Sequence, residues 1–200
     1  MAKVAINGFG RIGRLFFRQA FEEKGIDIVA VNDLGNLENL GYLLKYDTVY
    51  GQYEKSVDTK GDKLVVDGKK IDVINEKDPA KLPWEKLGVD IVVEATGVFT
   101  EFEKARAHLD AGARRVVLTA PAKDLDVEDA ATVLMGINEG KLETSVMSSN
   151  ASCTTNAASP VISILSKNPG VEKALLNTVH GYTATQALVD SPSKIGRAHV

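Results

Sequence analysis

The fold is decided by the first residues of the chain, Lys3-Val-Ala-Ile-Asn-Gly-Phe-Gly-Arg-Ile-Gly-Arg14. Residues 4–6 form a short apolar run, and Val4 and Ile6 are β-branched, which predicts a strand over residues 3–6. Three glycines follow at the spacing G-x-G-x-x-G, and apolar residues at helical spacing then predict a helix over residues 11–24. A strand, a glycine turn and a helix in direct succession are typical of the first βα unit of a dinucleotide-binding sheet.

The glycine turn has the residues that a phosphate site needs. Gly8 permits the tight turn, Gly10 lets the backbone approach a pyrophosphate, and Gly13 lets the helix pack close to the strand. The amides that open the helix, up to Arg11 and Ile12, would face the anion, with support from the helix dipole. We therefore predict that these five residues bind a dinucleotide. A turn that serves packing alone is the competing interpretation.

An acidic residue at the expected distance favours the dinucleotide interpretation. Asp33 ends the second predicted strand, residues 26–31, about 20 residues after Gly13. Its carboxylate can accept hydrogen bonds from both ribose hydroxyls, and its charge would repel a 2′-phosphate. The sequence therefore predicts NAD as the cofactor and disfavours NADP.

The rest of the chain alternates helical and strand patterns. Helices are predicted over residues 37–46, 100–111 and 152–167, and a hairpin over 63–73 around a turn-forming Asp-Gly pair. Further strands are predicted over 90–94, 115–118, 132–136, 145–148 and 173–179. Apolar strands separated by helices predict an α/β fold with a doubly wound, mostly parallel Rossmann sheet. We expect a nucleotide-binding domain over 1–151, followed over 152–194 by the start of an α+β catalytic domain.

The composition excludes several classes of function. The 200 residues have a formal net charge of −3 and a single cysteine. Nucleic acid is not expected as a partner, since no basic surface is indicated, and no apolar run is long enough to span a membrane. A cysteine that has no second cysteine to pair with suits a reducing, cytoplasmic compartment. One cysteine and three scattered histidines show no metal-ligand spacing, and His108, on a charged helix, is expected at the surface.

The cysteine itself is a candidate nucleophile. Ser152 is a good N-cap, so Cys153 would lie in the first turn of a helix, where the dipole favours a thiolate. A buried, inert cysteine is the common alternative, but the neighbours of Cys153 are polar. His180 ends a predicted strand and is a candidate base, so we predict a catalytic Cys/His pair. Pro160 should bend the cysteine helix.

Six motifs make the chain recognisable. It closely resembles the phosphorylating glyceraldehyde-3-phosphate dehydrogenases over residues 1 to about 194, and the cysteine segment is highly specific to them and their erythrose-4-phosphate relatives. The motifs are Asn7-Gly-Phe-Gly-Arg-Ile-Gly-Arg14, Leu44-Lys-Tyr-Asp-Thr48, Ala95-Thr-Gly-Val-Phe-Thr100, Thr119-Ala-Pro-Ala-Lys123, Asn150-Ala-Ser-Cys-Thr-Thr-Asn156 and His180-Gly-Tyr-Thr-Ala-Thr-Gln186.

The resemblance implies a reaction and its residues. Cys153 would attack the aldehyde of glyceraldehyde 3-phosphate, and His180 would take the hydroxyl proton as hydride leaves for NAD. Inorganic phosphate would then cleave the resulting thioester. Ser152, Thr154 and Thr183 correspond to phosphate-binding positions. By the same resemblance the full-length enzyme acts in glycolysis, in the cytoplasm, as a homotetramer.

The resemblance also assigns the cofactor side. Arg11 and Ile12 match the pyrophosphate turn and Asp33 the adenosine ribose. Lys77, Thr96 and Thr119 match positions along the adenine and nicotinamide ribose.

The chain departs from the family in three places. Ala157 replaces a second cysteine that family members often carry, and the family's remaining phosphate ligands and final helix have no counterpart. We therefore expect the 200-residue chain itself to lack turnover. Residues 195–200, Ile-Gly-Arg-Ala-His-Val, do not continue the family pattern and match the translation of a sequencing adapter, ATC GGA AGA GCA CAC GTC. We interpret them as a non-native tail.

Three rival functions stay open at this point. An erythrose-4-phosphate dehydrogenase would use the same chemistry but release the product with water. An acyl-phosphate reductase of the semialdehyde type also pairs cysteine with histidine. A nucleotide-binding fragment without turnover is the third.

Overall fold

A computed structural model describes residues 1–181 of the chain. Contacts divide the chain into two compact units, Met1–Pro160 and Val161–Val200. The first unit is built on a nine-stranded sheet and a separate two-stranded hairpin. Among the helices of the described chain, none combines the length and apolar character needed to cross a bilayer.

The strands of the described chain are numbered in chain order. They are β1 (Ala2–Asn7), β2 (Ile26–Asn32), β3 (Tyr46–Asp47), β4 (Gly51–Gln52), β5 (Val57–Lys60), β6 (Lys63–Val66), β7 (Lys69–Ile74), β8 (Ile91–Glu94), β9 (Arg115–Leu118), β10 (Ala130–Thr132) and β11 (Met147–Ser149). The α-helices are α1 (Arg11–Ala20), α2 (Leu37–Lys45), α3 (Trp84–Leu87), α4 (Phe102–Ala105), α5 (Ala107–Asp110) and α6 (Cys153–Lys167). Short 3-10 helices cover Pro79–Lys81 and Glu139–Glu143.

The main sheet has the order β10-β11-β9-β8-β1-β2-β7-β6-β5. The strands from β10 to β7 pair in parallel, and β6 and β5 extend the sheet in antiparallel fashion. The predicted doubly wound, mostly parallel sheet is thus confirmed. The strand order reverses at β1, which lies between β2 and β8, and such a reversal opens a crevice at the carboxyl ends of the strands.

Strand β1 shows how the sheet is covered on both faces. Side chains alternate between faces along a strand, and Ala5 and Ile6 accordingly belong to two different core clusters. Helix α1 contributes Phe17 to the cluster of Ile6, whereas Trp84 belongs to the cluster of Ala5. The register aligns the last residues of three strands, because Asn7 pairs with Asn32 on one side and with Glu94 on the other.

Three predicted elements have different bounds. Helix α1 ends at Ala20 because the chain must turn through Gly25, at φ +99°, to reach β2. Residues 100–111 form two short helices, α4 and α5. The predicted strand over 132–136 is instead β10, which ends at Thr132 because the Asn138 side chain accepts from the Leu134 amide and turns the chain.

The strand predicted over residues 173–179 is wrong. These residues have no regular secondary structure, and Leu175 and Val179 are 97% and 96% exposed. A strand is stable only when a neighbour accepts and donates its backbone hydrogen bonds. Within residues 1–181 no strand pairs with this segment. The helix predicted over residues 152–167 is α6, which continues through Pro160. The bend expected at Pro160 stays a prediction.

Candidate dinucleotide and cysteine sites

A cavity of about 870 Å³ opens at the carboxyl ends of the parallel strands in the first unit. Its walls come from the segments that follow β1, β2, β7 and β8, so it lies at the reversal of strand order, where α/β sheets bind ligands. Its volume falls within the range of ligand pockets. Five of the predicted cofactor residues line it: Gly8, Gly10, Asp33, Lys77 and Thr96.

Two of the three glycines of the motif, Gly8 and Gly13, pack too tightly for a larger residue. A Cβ on Gly8, whose φ is +93°, would lie 2.6 Å from the Thr96 amide nitrogen, and a Cβ on Gly13 would lie 2.1 Å from the Gly8 carbonyl oxygen. A Cβ on Gly10 would meet nothing within 4 Å. The predicted roles of Gly8 in the turn and of Gly13 in helix packing are confirmed, and Gly10 leaves open space beside the cavity.

Asp33 is held in place by two backbone amides. Phe9 N donates to its Oδ2 at 2.7 Å and Gly35 N to its Oδ1 at 2.8 Å. Each carboxylate oxygen can accept a further bond, and Asp33 faces the cavity. The glycine turn and an oriented carboxylate therefore share one cavity, and the residues present fit a dinucleotide.

Arg11 and Ile12 open α1 beside the cavity but do not line it. Both are exposed, and the Arg11 guanidinium donates to both oxygens of Asp47 at 2.9 and 3.2 Å. Backbone amides of Tyr50 and Val49, and then Arg11, lower the pKa of Asp47 to about 2. Arg11 is therefore oriented by a carboxylate that stays charged. The N-cap of α1 is Gly10, which has no side chain to occupy the first-turn amides.

Thr119 lies apart from the cavity wall. It directly follows β9, and both its amide and its hydroxyl donate to the Glu94 carbonyl oxygen, at 3.0 and 3.1 Å. Lys77 is exposed at the cavity rim. The Thr96 amide donates to the Glu94 carboxylate at 2.8 Å.

The cysteine segment forms a strand-to-helix turn. Ala151 has the left-handed φ of +58°, and the Ser152 hydroxyl accepts from the Thr155 amide at 3.1 Å, which confirms Ser152 as the N-cap of α6. Cys153 is the first residue of that helix and is exposed. The Ser152 hydroxyl also lies 3.1 Å from that of Thr154. The predicted substrate residues 152 and 154 thus flank an exposed thiol at a helix N-terminus.

His180 belongs to the second unit, whereas Cys153 belongs to the first. His180 is exposed, and its Nδ1 lies 2.5 Å from the Gly181 carbonyl oxygen. Their predicted pairing stays a prediction. Thr183, the rest of the motif over 182–186 and the expected tail over 195–200 lie outside the described residues.

The prediction for His108 is wrong. Its side chain is fully buried and hydrogen-bonded to Trp84 and Glu94. Helix α5 packs against the body of the unit, and burial of a histidine requires partners for both ring nitrogens, which those two side chains supply. Asn7 and Asn32 also line the cavity, although neither was predicted as a cavity residue. A polar residue at the last position of an apolar strand was the available signal.

Two further features bear on the site. Within residues 1–181, no group of three or more His, Cys, Asp or Glu side chains is arranged to hold a metal ion. A second cavity, of about 630 Å³, lies in the second unit between Ile162 and Ala174. It contains no predicted site residue.

Comparison with known proteins identifies the family. Residues 2–102 match the family model of the glyceraldehyde 3-phosphate dehydrogenase NAD binding domain, and residues 152–199 match that of its C-terminal domain. Glyceraldehyde-3-phosphate dehydrogenase 1 of Kluyveromyces lactis is 52% identical over 194 residues, which cover 96% of this chain and 57% of the relative. Glyceraldehyde-3-phosphate dehydrogenase 2 of Bacillus subtilis is 49% identical over 194 residues, covering 96% and 56%.

A third relative shows a similar degree of identity. Glyceraldehyde-3-phosphate dehydrogenase of Thermotoga maritima is 49% identical over 197 residues, covering 97% of this chain and 58% of the relative. The chain thus spans a little over half the length of the curated relatives it matches. With its glycine turn, its cavity and its cysteine helix, the chain belongs to the glyceraldehyde-3-phosphate dehydrogenase family.

Proposed function

We propose that the whole protein oxidises glyceraldehyde 3-phosphate with NAD and inorganic phosphate to 1,3-bisphosphoglycerate, as a step of glycolysis. The observation that carries the proposal is the combination, in one family member, of a glycine-turn cavity with an oriented Asp33 and an exposed Cys153 that opens a 15-residue helix. We propose residues 1–151 as the NAD-binding domain and residues 152–194 as the start of the catalytic domain.

The cofactor would bind in the cavity of the first unit. Backbone amides at Gly10, Arg11 and Ile12 would donate to the pyrophosphate, and Asp33 would accept from the ribose hydroxyls while repelling a 2′-phosphate. Lys77, Thr96 and Thr119 complete the proposed cofactor residues. When bound, NAD supplies a hydride acceptor.

The cysteine would do the covalent chemistry. The N-terminus of α6 would favour the Cys153 thiolate, because the helix dipole stabilises negative charge there. The thiolate sulfur would bond to the aldehyde carbon, and the oxyanion so formed would take up a proton to give a thiohemiacetal. His180 would remove that hydroxyl proton as hydride leaves for the bound NAD, which gives the thioester. After oxidation, a phosphate oxygen would attack the thioester carbonyl and expel the thiolate, which regenerates Cys153.

The phosphate groups of the substrates would lie near the start of α6. Ser152, Thr154 and Thr183 are the proposed ligands. The hydroxyls of Ser152 and Thr154 lie within hydrogen-bonding distance of each other, so a bound phosphate would share these donors with the cap. We also propose, from the family, a homotetramer in the cytoplasm.

Cofactor choice tests the nucleotide half of the proposal. Calorimetry on the 200-residue chain should show tighter binding of NAD than of NADP, and Asp33→Gly should narrow the gap by removing the charge that repels the 2′-phosphate. Asp62→Gly, which removes an exposed carboxylate far along the chain from the turn, is the matched control and should leave the ratio unchanged. Equal affinity of the unmodified chain for both cofactors would contradict the role of Asp33.

Thiol reactivity tests the cysteine half. Cys153 is the single cysteine, so iodoacetamide uptake reports on it alone. Folded protein should react faster at neutral pH than the same chain in urea, because the helix N-terminus stabilises the thiolate. In the whole enzyme, Cys153→Ser should lower turnover by orders of magnitude and leave NAD affinity unchanged. Equal labelling rates with and without urea would count against an activated thiolate.

A further inference from the structure

A buried hydrogen-bond network lies behind the dinucleotide cavity, and the proposed reaction does not use it. Its centre is Glu94, at the end of β8, and its far end is Trp84. Glu94 is 3% exposed, His108 and Trp84 are fully buried, and Asn7 is 1% exposed. Buried polar groups at this density are costly unless each one is satisfied.

Glu94 acts purely as an acceptor. Asn7 Nδ2 donates to its Oε2 at 2.6 Å, and His108 Nε2 lies 3.0 Å from the same oxygen. The other oxygen accepts from the Thr96 amide at 2.8 Å and from the Thr96 hydroxyl. Both carboxylate oxygens are therefore fixed, one by the body of the sheet and one by the loop that follows β8.

The indole of Trp84 sets the tautomer of His108. Trp84 Nε1 lies 3.0 Å from His108 Nδ1, and an indole nitrogen can only donate. Nδ1 must then accept, so the ring proton is on Nε2 and points at Glu94. The order of donation runs from Trp84 through His108 to Glu94.

The other end of the network reaches the cavity wall. Asn7 and Thr96 line the cavity, and Asn7 Oδ1 accepts from Asn32 Nδ2 at 2.7 Å. Asn32 also exchanges hydrogen bonds of 2.8 and 2.9 Å with the backbone of Glu76. The network thus ties together the ends of β1, β2 and β8 and the segment after β7, which are the four walls of the cavity.

We propose that Glu94 and His108 are positioning residues of the dinucleotide cavity: through the Glu94 carboxylate they hold the Thr96 loop against the glycine turn, without touching the cofactor. This inference rests on the proposed function for the identity of the ligand. The close fit of Gly8 to the Thr96 amide means that a shift of the loop would alter both walls at once.

Two substitutions of His108 separate positioning from general stability. A Gln side chain places its amide nitrogen near the position of His108 Nε2, so it keeps the hydrogen bond to Glu94 and loses the one from Trp84. An Asn side chain places its amide oxygen near the position of Nδ1, so it keeps the hydrogen bond from Trp84 and loses the one to Glu94. His108→Asn should therefore raise the NAD dissociation constant about tenfold and speed hydrogen exchange of the Thr96 amide. His108→Gln should change the dissociation constant by no more than about twofold and leave Thr96 exchange unchanged.

The tryptophan supplies a spectroscopic readout. Trp84 is the single tryptophan of the chain, so its emission reports on the far end of the network. It should shift in His108→Gln, in which the indole loses its acceptor, and stay unchanged in His108→Asn. NAD affinity and Thr96 exchange should thus change in His108→Asn only, and Trp84 emission in His108→Gln only. If affinity, exchange and emission instead changed in parallel with unfolding free energy in both variants, the network would be structural only and the inference overturned.

Two further outcomes are distinguishable. If the unmodified chain binds no NAD, the NAD-binding role proposed for residues 1–151 fails, and Thr96 exchange alone still decides whether His108 positions the loop. If His108→Asn does not fold, Trp84→Phe replaces it, since it deletes the donor to His108 and lies away from the cavity wall. Trp84→Phe should then speed Thr96 exchange selectively; unchanged exchange would overturn the inference.

Discussion

The first unit has a core of buried large apolar side chains, whereas residues 161–181, the described part of the second unit, bury none. Leu44 of α2 is fully buried among the residues of the first core cluster, but Leu175 is 97% exposed. Beyond residue 160 the last two turns of α6 also expose Val161, Ile162, Ile164 and Leu165 by 44–67%. Similar apolar residues thus contribute very differently to the stability of the fold, because burial requires partner surfaces as well as an apolar pattern.

The largest effect should come from one substitution made in both units. Leu44→Ala should lower the free energy of unfolding by about 2–5 kcal/mol, the usual cost of a cavity in a packed core. Leu175→Ala should change it by no more than about 0.5 kcal/mol. Urea unfolding followed by Trp84 emission measures both. Equal losses would show that the two regions do not differ in packing as described.

Within the first unit, Gly13 and Gly10 allow the same comparison between a tightly packed position and an open one. Gly13→Ala should lower the free energy of unfolding by about 1–3 kcal/mol, because a Cβ 2.1 Å from the Gly8 carbonyl oxygen cannot be moved away by a rotamer change. Gly10→Ala should alter stability by only about 0.5 kcal/mol or less, yet weaken NAD binding by keeping the pyrophosphate away from the backbone. Denaturant titration and calorimetry give the two values. A stable Gly13→Ala variant would contradict the close packing of α1 on β1.

Acid should remove the stabilisation that the ionised Asp47 carboxylate gives to the first unit. The pKa of Asp47 in the folded protein is about 2, below its ordinary value of about 3.9, so its stabilisation is fully present above about pH 4 and is lost as pH falls toward about 2. Asp47→Asn should therefore cost about 1 kcal/mol at pH 7 and progressively less as pH falls from about 4 through about 2. Unfolding at a series of pH values tests this, with the exposed Asp62→Asn as control. A loss independent of pH would mean that the charge of Asp47 is not involved.

The smallest effect concerns the turn that leads into α6. Ala151→Gly should stabilise the chain by about 0.5 kcal/mol, because glycine removes the strain of a left-handed φ but gains freedom in the unfolded state. The same change at Ala157, an exposed interior position of α6, should destabilise it by about 0.5–1 kcal/mol. Changes of opposite sign in the unfolding free energy of the two variants, measured by thermal or urea unfolding, would support the left-handed conformation of Ala151. Destabilisation by both variants would argue against strain at residue 151.

Prediction from sequence succeeded where local signals and partner strands coincide. The glycine turn between β1 and α1, the place of Asp33 directly after β2, and the strands β1, β2, β8 and β9 were predicted correctly. Short-range spacing determines the βα unit, and neighbouring strands complete it. The cofactor roles of these residues stay predictions. The strand predicted over 173–179 was wrong because an apolar pattern does not supply a pairing neighbour. Its sequence alone could not reveal this.

The buried network shows a different limit. His108 looked like a surface residue because its neighbours in sequence are charged, and its burial depends on Trp84 and Glu94, which are distant along the chain. The alignment of Asn7, Asn32 and Glu94 depends on strand order and register. Residue spacing predicts the ligand-facing turn, but the support behind it emerges only from tertiary packing.

The order of the sheet also determines which strands lie at its edges and could pair with another copy of the chain. Its two outermost strands are β10, which is only three residues long, and β5, which carries the exposed Asp58 and Lys60. Brevity and charge are two ways in which proteins discourage strand addition between molecules. Neither border of this sheet is therefore a good template for fibril-like growth, and self-association of the chain should begin at apolar side chains such as Leu175 and Val179 instead.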